Sequence, residues 1–371
     1  MRVLFDHQSF SGAKFGGVAR YFYDLMHNLK YHQGVEVNLS LLFSNNEYLK
    51  NADVKKVFPF SYFLGHGLTN TLFSHVNRAN SALQITRHNY DIFHPTYFND
   101  YFMTFLGKTP YVITHHDAIP EKFATQYAQL DGFDKAYKQR VLDRAAKVIA
   151  VSENTKNDLL EIFRIAPEKI EVVHHSTHFA TYKPAEDFDI VTPERYLLYV
   201  GNRENYKNFD IFLTAIAPIL HKQSDLHLIC AGSHGFTESE QKLFHELGVS
   251  GQILHQEIPN DAVLYRIYQK AIAFIYPSLY EGFGIPILEA FACGCPVILS
   301  DRSCFPEVAQ NAALYFNPEN KENINFEVEK LIDNAELKLN LVKKGYQRLK
   351  DFSPENTAKK TLNVYKSVVG K

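Results

Sequence analysis

Along this chain short apolar runs recur, each followed by a polar or glycine-bearing loop and then by a longer segment with apolar positions at helical spacing. Arg2–Phe5 reads as a buried strand, and Val18–Leu29 as the helix that follows its loop. Further strands are expected at Val35–Phe43, Asp91–His94, Tyr111–His115, Lys147–Val151 and Ile170–His174, with helices at Asn70–Thr86, Phe133–Ala146 and Glu153–Phe163. Alternation of this kind predicts a parallel sheet covered by helices on both faces.

The pattern breaks around Pro184–Thr192, where PAEDFDIVTPE is acidic, polar and carries two prolines, and so reads as a linker. It then restarts. Strands are expected at Tyr196–Val200, Leu226–Ala231, Gln252–Leu254, Ala273–Tyr276 and Val297–Leu299. Helices are expected at Phe209–Lys222, Glu238–Leu247, Asp261–Ala271 and Pro286–Cys293. The tail Ser353–Val369 is helical again, with Ser353 as N-cap and Pro354 in the first turn. The prediction is an α/β protein of two Rossmann-like doubly wound domains, 1–185 and 186–352, facing a central cleft, with a last helix in 353–371. Ligands of such sheets bind at the carboxyl ends of the strands.

Composition narrows the partners. With 39 Lys and Arg against 41 Asp and Glu, the net charge of -2 gives no reason to expect nucleic acid. Cys230, Cys293, Cys295 and Cys304 form no CxxC pair and no zinc ligand set, so they read as small buried residues in a reducing compartment. The first residues, MRVLFDHQSF, lack a signal-peptide pattern, and no apolar run approaches the ~20 residues that span a bilayer. A cytoplasmic protein is expected. Residues 55–64, KKVFPFSYFL, combine two cations with aromatics and are a candidate contact with the inner face of a membrane or with a lipid-linked acceptor. Asp187-Phe188-Asp189 resembles a metal-binding DxD but reads as solvated linker. The basic run Lys135, Lys138, Arg140, Arg144, Lys147 reads as a solvated helix face.

The densest chemistry lies in YPSLYEGFGIPILEA, residues 276–290. Pro286 suits the first position of a helix, and Gly284 permits close backbone approach. The amides of Gly284 and Ile285 then precede a helix start, where free N–H groups and the helix dipole favour an anion such as a diphosphate. A carboxylate beside a phosphate is repelled, so Glu281 and Glu289 are expected at the neutral parts of an extended ligand, one at a sugar and one at a ribose. A second element, GNRENYKN, follows the Tyr196–Val200 strand. Gly201, Arg203 and Lys207 make it a candidate phosphate clamp. In the first half, Gly16 and Gly17 open a helix without GxGxxG spacing, and THHD ends a strand with His116 available for a substrate hydroxyl. Lys14, His94 and Tyr97 are the acceptor-side candidates.

Together these residues resemble the retaining nucleotide-sugar glycosyltransferases of the GT-B fold, family 4. The resemblance runs along nearly the whole chain. Its most specific part is PSLYEGFGIPILEAFACGCPVILSD, which looks like that family's E-x7-E signature. The Gly16-Gly17 loop, His116-Asp117, Val151-Ser152 and the Arg203/Lys207 loop match in order, while Ser176 stands where the family commonly has Gly. The resemblance implies that Glu281 contacts the donor sugar and that Phe283, Gly284 and Ile285 bind sugar and diphosphate through backbone amides. It further implies that Glu289 holds the ribose and that Arg203 and Lys207 neutralise the diphosphate. His116 would meet the sugar, and Ile258, in Glu257-Ile258-Pro259, would frame the base. The implied reaction moves a sugar from a UDP- or GDP-sugar to a glycan or lipid-linked acceptor in bacterial surface polysaccharide or lipopolysaccharide synthesis. Configuration is retained, with no cofactor and no metal. The rival readings are a nucleotide-sugar hydrolase or epimerase of the same fold and a non-catalytic nucleotide-sugar-binding protein.

Overall fold

The structure, a computed structural model, describes residues 1–12, 14–50, 68–127, 135–185, 188–203, 205–232 and 234–370. The chain divides into two compact units: Met1–Ala124, Ala128–Ser176 and Pro354–Lys371 in one, Thr125–Tyr127 and Thr177–Ser353 in the other. The candidate membrane segment 55–64 and Asp187 lie outside the described residues.

In the first unit, six short strands run parallel: β1 (Arg2–Phe5), β2 (Glu36–Leu39), β3 (Ile92–His94), β4 (Val112–His115), β5 (Lys147–Ala150) and β6 (Ile170–Val172). They form two three-stranded sheets, β2-β1-β3 and β4-β5-β6, linked by a parallel bridge between Phe93 and Tyr111. Helix Gly17–Leu29 lays Phe22, Leu25, Met26 and Leu29 on this sheet beside Phe5 and Val3. The last helix, Pro354–Val369, adds Ala358, Leu362 and Tyr365 to the same core, which is why the chain's end belongs to the first unit.

The second unit holds one six-stranded parallel sheet: β7 (Arg195–Val200), β8 (Leu226–Ala231), β9 (Ile253–Gln256), β10 (Ala273–Tyr276), β11 (Val297–Ser300) and β12 (Leu314–Phe316). Its order is β12-β11-β10-β7-β8-β9. Counted within the unit this is 3-2-1-4-5-6, the order of doubly wound nucleotide-binding sheets, and its direction of winding reverses between β7 and β10. Helices cover both faces, so successive side chains of a strand are buried alike and the strands read as unbroken apolar runs. All four residues of β10 and of β11 are buried.

Three differences from expectation have local causes. The second unit begins at Thr177, earlier than residue 186, because Phe179 and Tyr182 pack on Tyr265 of that unit and His178 pairs with Asp261 at 2.8 Å. Strand β12 and helices Phe305–Ala309, Lys321–Ile332 and Ala335–Leu349 add to the elements expected. β12 is a three-residue edge strand, too short to show a period. Lys138 is buried rather than solvated: its ammonium sits 2.9 Å from the equally buried Glu121 and donates to the Asp117 carbonyl.

All four cysteines are buried and unpaired in disulfides. Among the described residues no His, Cys, Asp or Glu cluster could hold a metal ion. No described helix is long and apolar enough to cross a membrane.

Candidate active site

Two loops leave the carboxyl ends of β7 and β10, the strands on either side of the reversal point, where a doubly wound sheet opens its ligand crevice. They are tied together by backbone and side chain. Leu279 N–H donates to the Tyr206 carbonyl at 2.8 Å, and the Asn208 amide donates to the carbonyls of Pro277 and Pro318. Asn208 can do this because it sits in the left-handed region, at φ 59°, just before helix Phe209–Lys222. The tie brings Lys207 and Glu281, 74 residues apart, to 2.6 Å, with both side chains largely shielded from water. Lys207 also reaches the hydroxyl of Tyr276 at 3.4 Å. Burial first, and then the Glu281 charge, holds that phenol well above its ordinary pKa, so it stays a neutral donor or acceptor. Glu281 is itself held from behind. Its N–H donates to the Ser303 hydroxyl at 3.1 Å and the Cys304 thiol donates to its carbonyl at 3.3 Å.

Helix Ile285–Ala292 starts directly after this loop. Gly284 is its N-cap at φ 86°, a left-handed conformation that a side chain strains. A Cβ there would also meet Ile287 and Phe305 at 3.1 Å. Gly284→Ala should therefore destabilise the second unit by about 1–3 kcal/mol, measurable as a lower denaturant midpoint. Pro286 occupies the second helical position, not the expected first; Ile285 is first. The Ile285 amide is among the orphan donors that a helix start offers an anion. Glu289 lies one turn further along, and its Oε2 accepts from the Tyr268 hydroxyl at 3.1 Å. Burial and the Glu289 charge keep that hydroxyl protonated.

The other donor-side candidates are placed differently from one another. Arg203 does not join Lys207 in one clamp: its side chain is fully buried against Glu240, with Nε to Oε1 at 2.5 Å. The Gly201 amide is occupied by the Ala231 carbonyl at 3.0 Å, so it is not available to a phosphate; what the glycine supplies is its φ of 120°. The Phe283 ring is core, packed edge-on against Phe352, so only its backbone can serve a ligand. Ile258 is half-buried just past the end of β9.

The first-unit candidates form a separate group. His116 stacks on His175, with ring centroids 5.4 Å apart and planes 7° from parallel. Tyr21 meets both rings edge-on. Burial, and then the Lys138 charge, pushes the pKa of His116 down to about 3, and its Nε2 is buried with no hydrogen-bond partner. His116 is thus a neutral imidazole, suited to a hydroxyl rather than an anion. His94 is no acceptor contact. It is fully buried, its Nδ1 2.6 Å from the Tyr365 hydroxyl and its Nε2 3.0 Å from Thr114 Oγ1, because the pleat turns the last residue of β3 into the core. Lys14 is exposed and 3.5 Å from Glu47, and Tyr97 is part-exposed near the Asp117 and Glu121 charges. Gly16 caps its helix in extended backbone that any residue adopts, and a Cβ at Gly16 or Gly17 would meet nothing within 4 Å.

Tyr268, Tyr276, Asn208, Ser303 and Glu240 are the site-building residues that sequence reasoning missed. Only Asn208, a polar residue before a helix, and Tyr276, the last residue of a strand feeding the loop, carried a local signal.

Comparison with known proteins agrees with this architecture. Residues 15–178 match the family described as Glycosyltransferase Family 4, and residues 184–348 match Glycosyl transferases group 1. The chain belongs to this group of GT-B glycosyltransferases. Among its relatives are O-antigen chain mannosyltransferase B of Escherichia coli, 29% identical over 61% of both chains, and O-antigen chain mannosyltransferase RfbU of Salmonella typhimurium, 31% identical over 57% of this chain and 58% of that one. The chain thus spans about three fifths of these two relatives. Among solved structures, the Anabaena protein HepE in complex with UDP and glucose superposes with a TM-score of 0.73 over 99% of this chain and 100% of that one, at 16% identity, a likeness of fold.

Proposed function

We propose that this protein is a retaining glycosyltransferase that moves a sugar from a nucleoside-diphosphate sugar, a UDP- or GDP-sugar, to a saccharide or lipid-linked acceptor in assembly of a surface polysaccharide of O-antigen or lipopolysaccharide type. The observation that carries the reading is the Lys207–Glu281 pair at the ends of β7 and β10, beside the Ile285 helix start. Breaking a sugar–phosphate bond builds negative charge on the leaving diphosphate, and preorganised cations and amides aimed at that charge are the main lever on rate. Lys207 and the helix start supply them from the protein, so the reaction needs no metal. Glu281 stands where a carboxylate stabilises the oxocarbenium-like anomeric carbon, while Glu289, oriented by Tyr268, takes the ribose hydroxyls. Glu281 is already committed to Lys207, which favours attack by the acceptor on the leaving-group face over a covalent enzyme intermediate. The departing phosphate oxygen then takes the acceptor's proton, and configuration is kept. Two O-antigen mannosyltransferases among the relatives favour a mannosyl donor.

Thermal-shift titration with UDP-, GDP- and ADP-sugars tests the donor class. One base should raise the midpoint, with about 2.7 kcal/mol of stabilisation at a ligand concentration of about a hundred times Kd. No shift with any of them rejects the reading.

A further inference from the structure

The Arg203 guanidinium is held on three sides by one segment, His234–Glu240, which follows strand β8. Nε donates to Glu240 Oε1 at 2.5 Å. Nη2 donates to the carbonyls of His234 at 2.9 Å and Gly235 at 3.2 Å, and approaches Glu240 Oε2 at 3.4 Å. The guanidinium plane lies over the Phe236 ring, 4.9 Å from its centroid, and Phe236 is anchored edge-on against Phe244. Glu240 is fixed in turn. Its Oε2 accepts from the N–H of Thr237 at 2.7 Å and from the Thr237 hydroxyl at 3.0 Å, in a capping box that starts helix Glu238–Glu246. One part of the guanidinium is left over. Nη1, with two of the five N–H donors of an arginine, is buried and has no hydrogen-bond partner. A buried donor left unmet is unfavourable, and an anionic acceptor would relieve it. A carboxylate seated side-on across Nε and Nη2 leaves only the Nη1 end of the cation to meet such an acceptor.

We propose that Glu240 is a positioning residue for donor binding: with the His234 and Gly235 carbonyls it locks the Arg203 guanidinium so that Nη1 alone is presented to the donor's diphosphate. This rests on the nucleotide-sugar reading above. Arg203 then acts as a directed hydrogen-bond donor whose charge is balanced by Glu240, while Lys207 meets the diphosphate as a cation paired with Glu281.

Calorimetric binding of UDP, GDP and ADP, each beside its own nucleoside, tests this in wild type, Glu240→Gln, Arg203→Ala and the double variant. Glu240→Gln keeps an acceptor for Thr237 and should weaken the diphosphate that binds wild type by about tenfold, the loss of one charge-assisted hydrogen bond. Affinity for the nucleoside should be unchanged. Arg203→Ala should do the same, and the double variant should lose no more than either single one. Glu240→Asp, which keeps the charge, should recover part of the affinity, and it carries the test if the Gln variant does not fold. An unchanged or tighter diphosphate in Glu240→Gln, additive losses, or equal losses for nucleoside and diphosphate overturn the positioning role while leaving the nucleotide-sugar reading intact. A wild-type protein that binds none of the three diphosphates overturns both.

Discussion

Glu281→Gln should lower sugar transfer by about 10²–10³ in kcat, the scale of losing one preorganised charge at a transition state. The unfolding midpoint of the second unit should move little. Gln keeps the size of the side chain and an oxygen for Lys207 to bond, so the 2.6 Å contact that ties the two loops can persist without its charge. Alanine is the poorer probe. Glu281 and Lys207 are both largely shielded from water, and removing one member of a shielded ion pair leaves the other uncompensated, at a cost of about 3–5 kcal/mol where burial is complete. Lys207→Ala would mix that loss of stability with loss of transfer. Comparing kcat with the urea midpoint for Glu281→Gln separates the two. Near-normal turnover in a folded Glu281→Gln protein would remove Glu281 from the chemistry.

Acidification should selectively weaken the first unit. His94, His115, His116 and His175 are packed at or near the ends of β3, β4 and β6, and burial drives all four pKa values down, to about 3 for His94 and His116. The Lys138 charge adds to this at His115 and His116. A folded-state pKa below the unfolded value of about 6.5 means that, between the two, the unfolded chain takes up a proton that the folded chain refuses. Stability is therefore intact above about pH 6.5 and falls as pH drops below it, by up to about 1.4 kcal/mol per pH unit for each histidine. From pH 7 to 5.5 the loss is on the order of 1 kcal/mol per histidine, and several such losses together are a large share of a domain's stability. Urea unfolding at the two pH values, followed by a probe in the first unit, reads this directly. Equal midpoints would mean that these imidazoles are not buried in the neutral form.

Much of the fold was legible because strands buried on both faces announce themselves as apolar runs. YLLYV, LICA and AFIY could be placed almost to the residue. The glycine-rich turn and the helix after it were legible too, since Gly284 and Pro286 each carry a backbone requirement, although the proline proved to be second rather than first. What could not be read was side-chain direction. His94 and His116 both end or follow strands, yet one is sealed between Tyr365 and Thr114 while the other keeps a ring nitrogen without a partner. Nor does sequence distance show that Lys207 meets Glu281 while Arg203 meets Glu240, because both pairings are made by the lateral order of strands, β10 beside β7 and β7 beside β8. Partners such as the part-buried Glu240 and the buried Tyr268 sit on helices whose sequence signals concern capping and amphipathicity, not the side chains they meet.

The most direct test of sugar transfer is a product assay with purified protein, a nucleoside-diphosphate sugar and a saccharide acceptor, reading nucleoside diphosphate release, glycosylated product and its anomeric configuration together. Release matched one for one by a product that retains the donor's configuration, and lost in Glu281→Gln, is the expected result. Free sugar formed at the same rate without acceptor, or donor binding with no turnover, would contradict it.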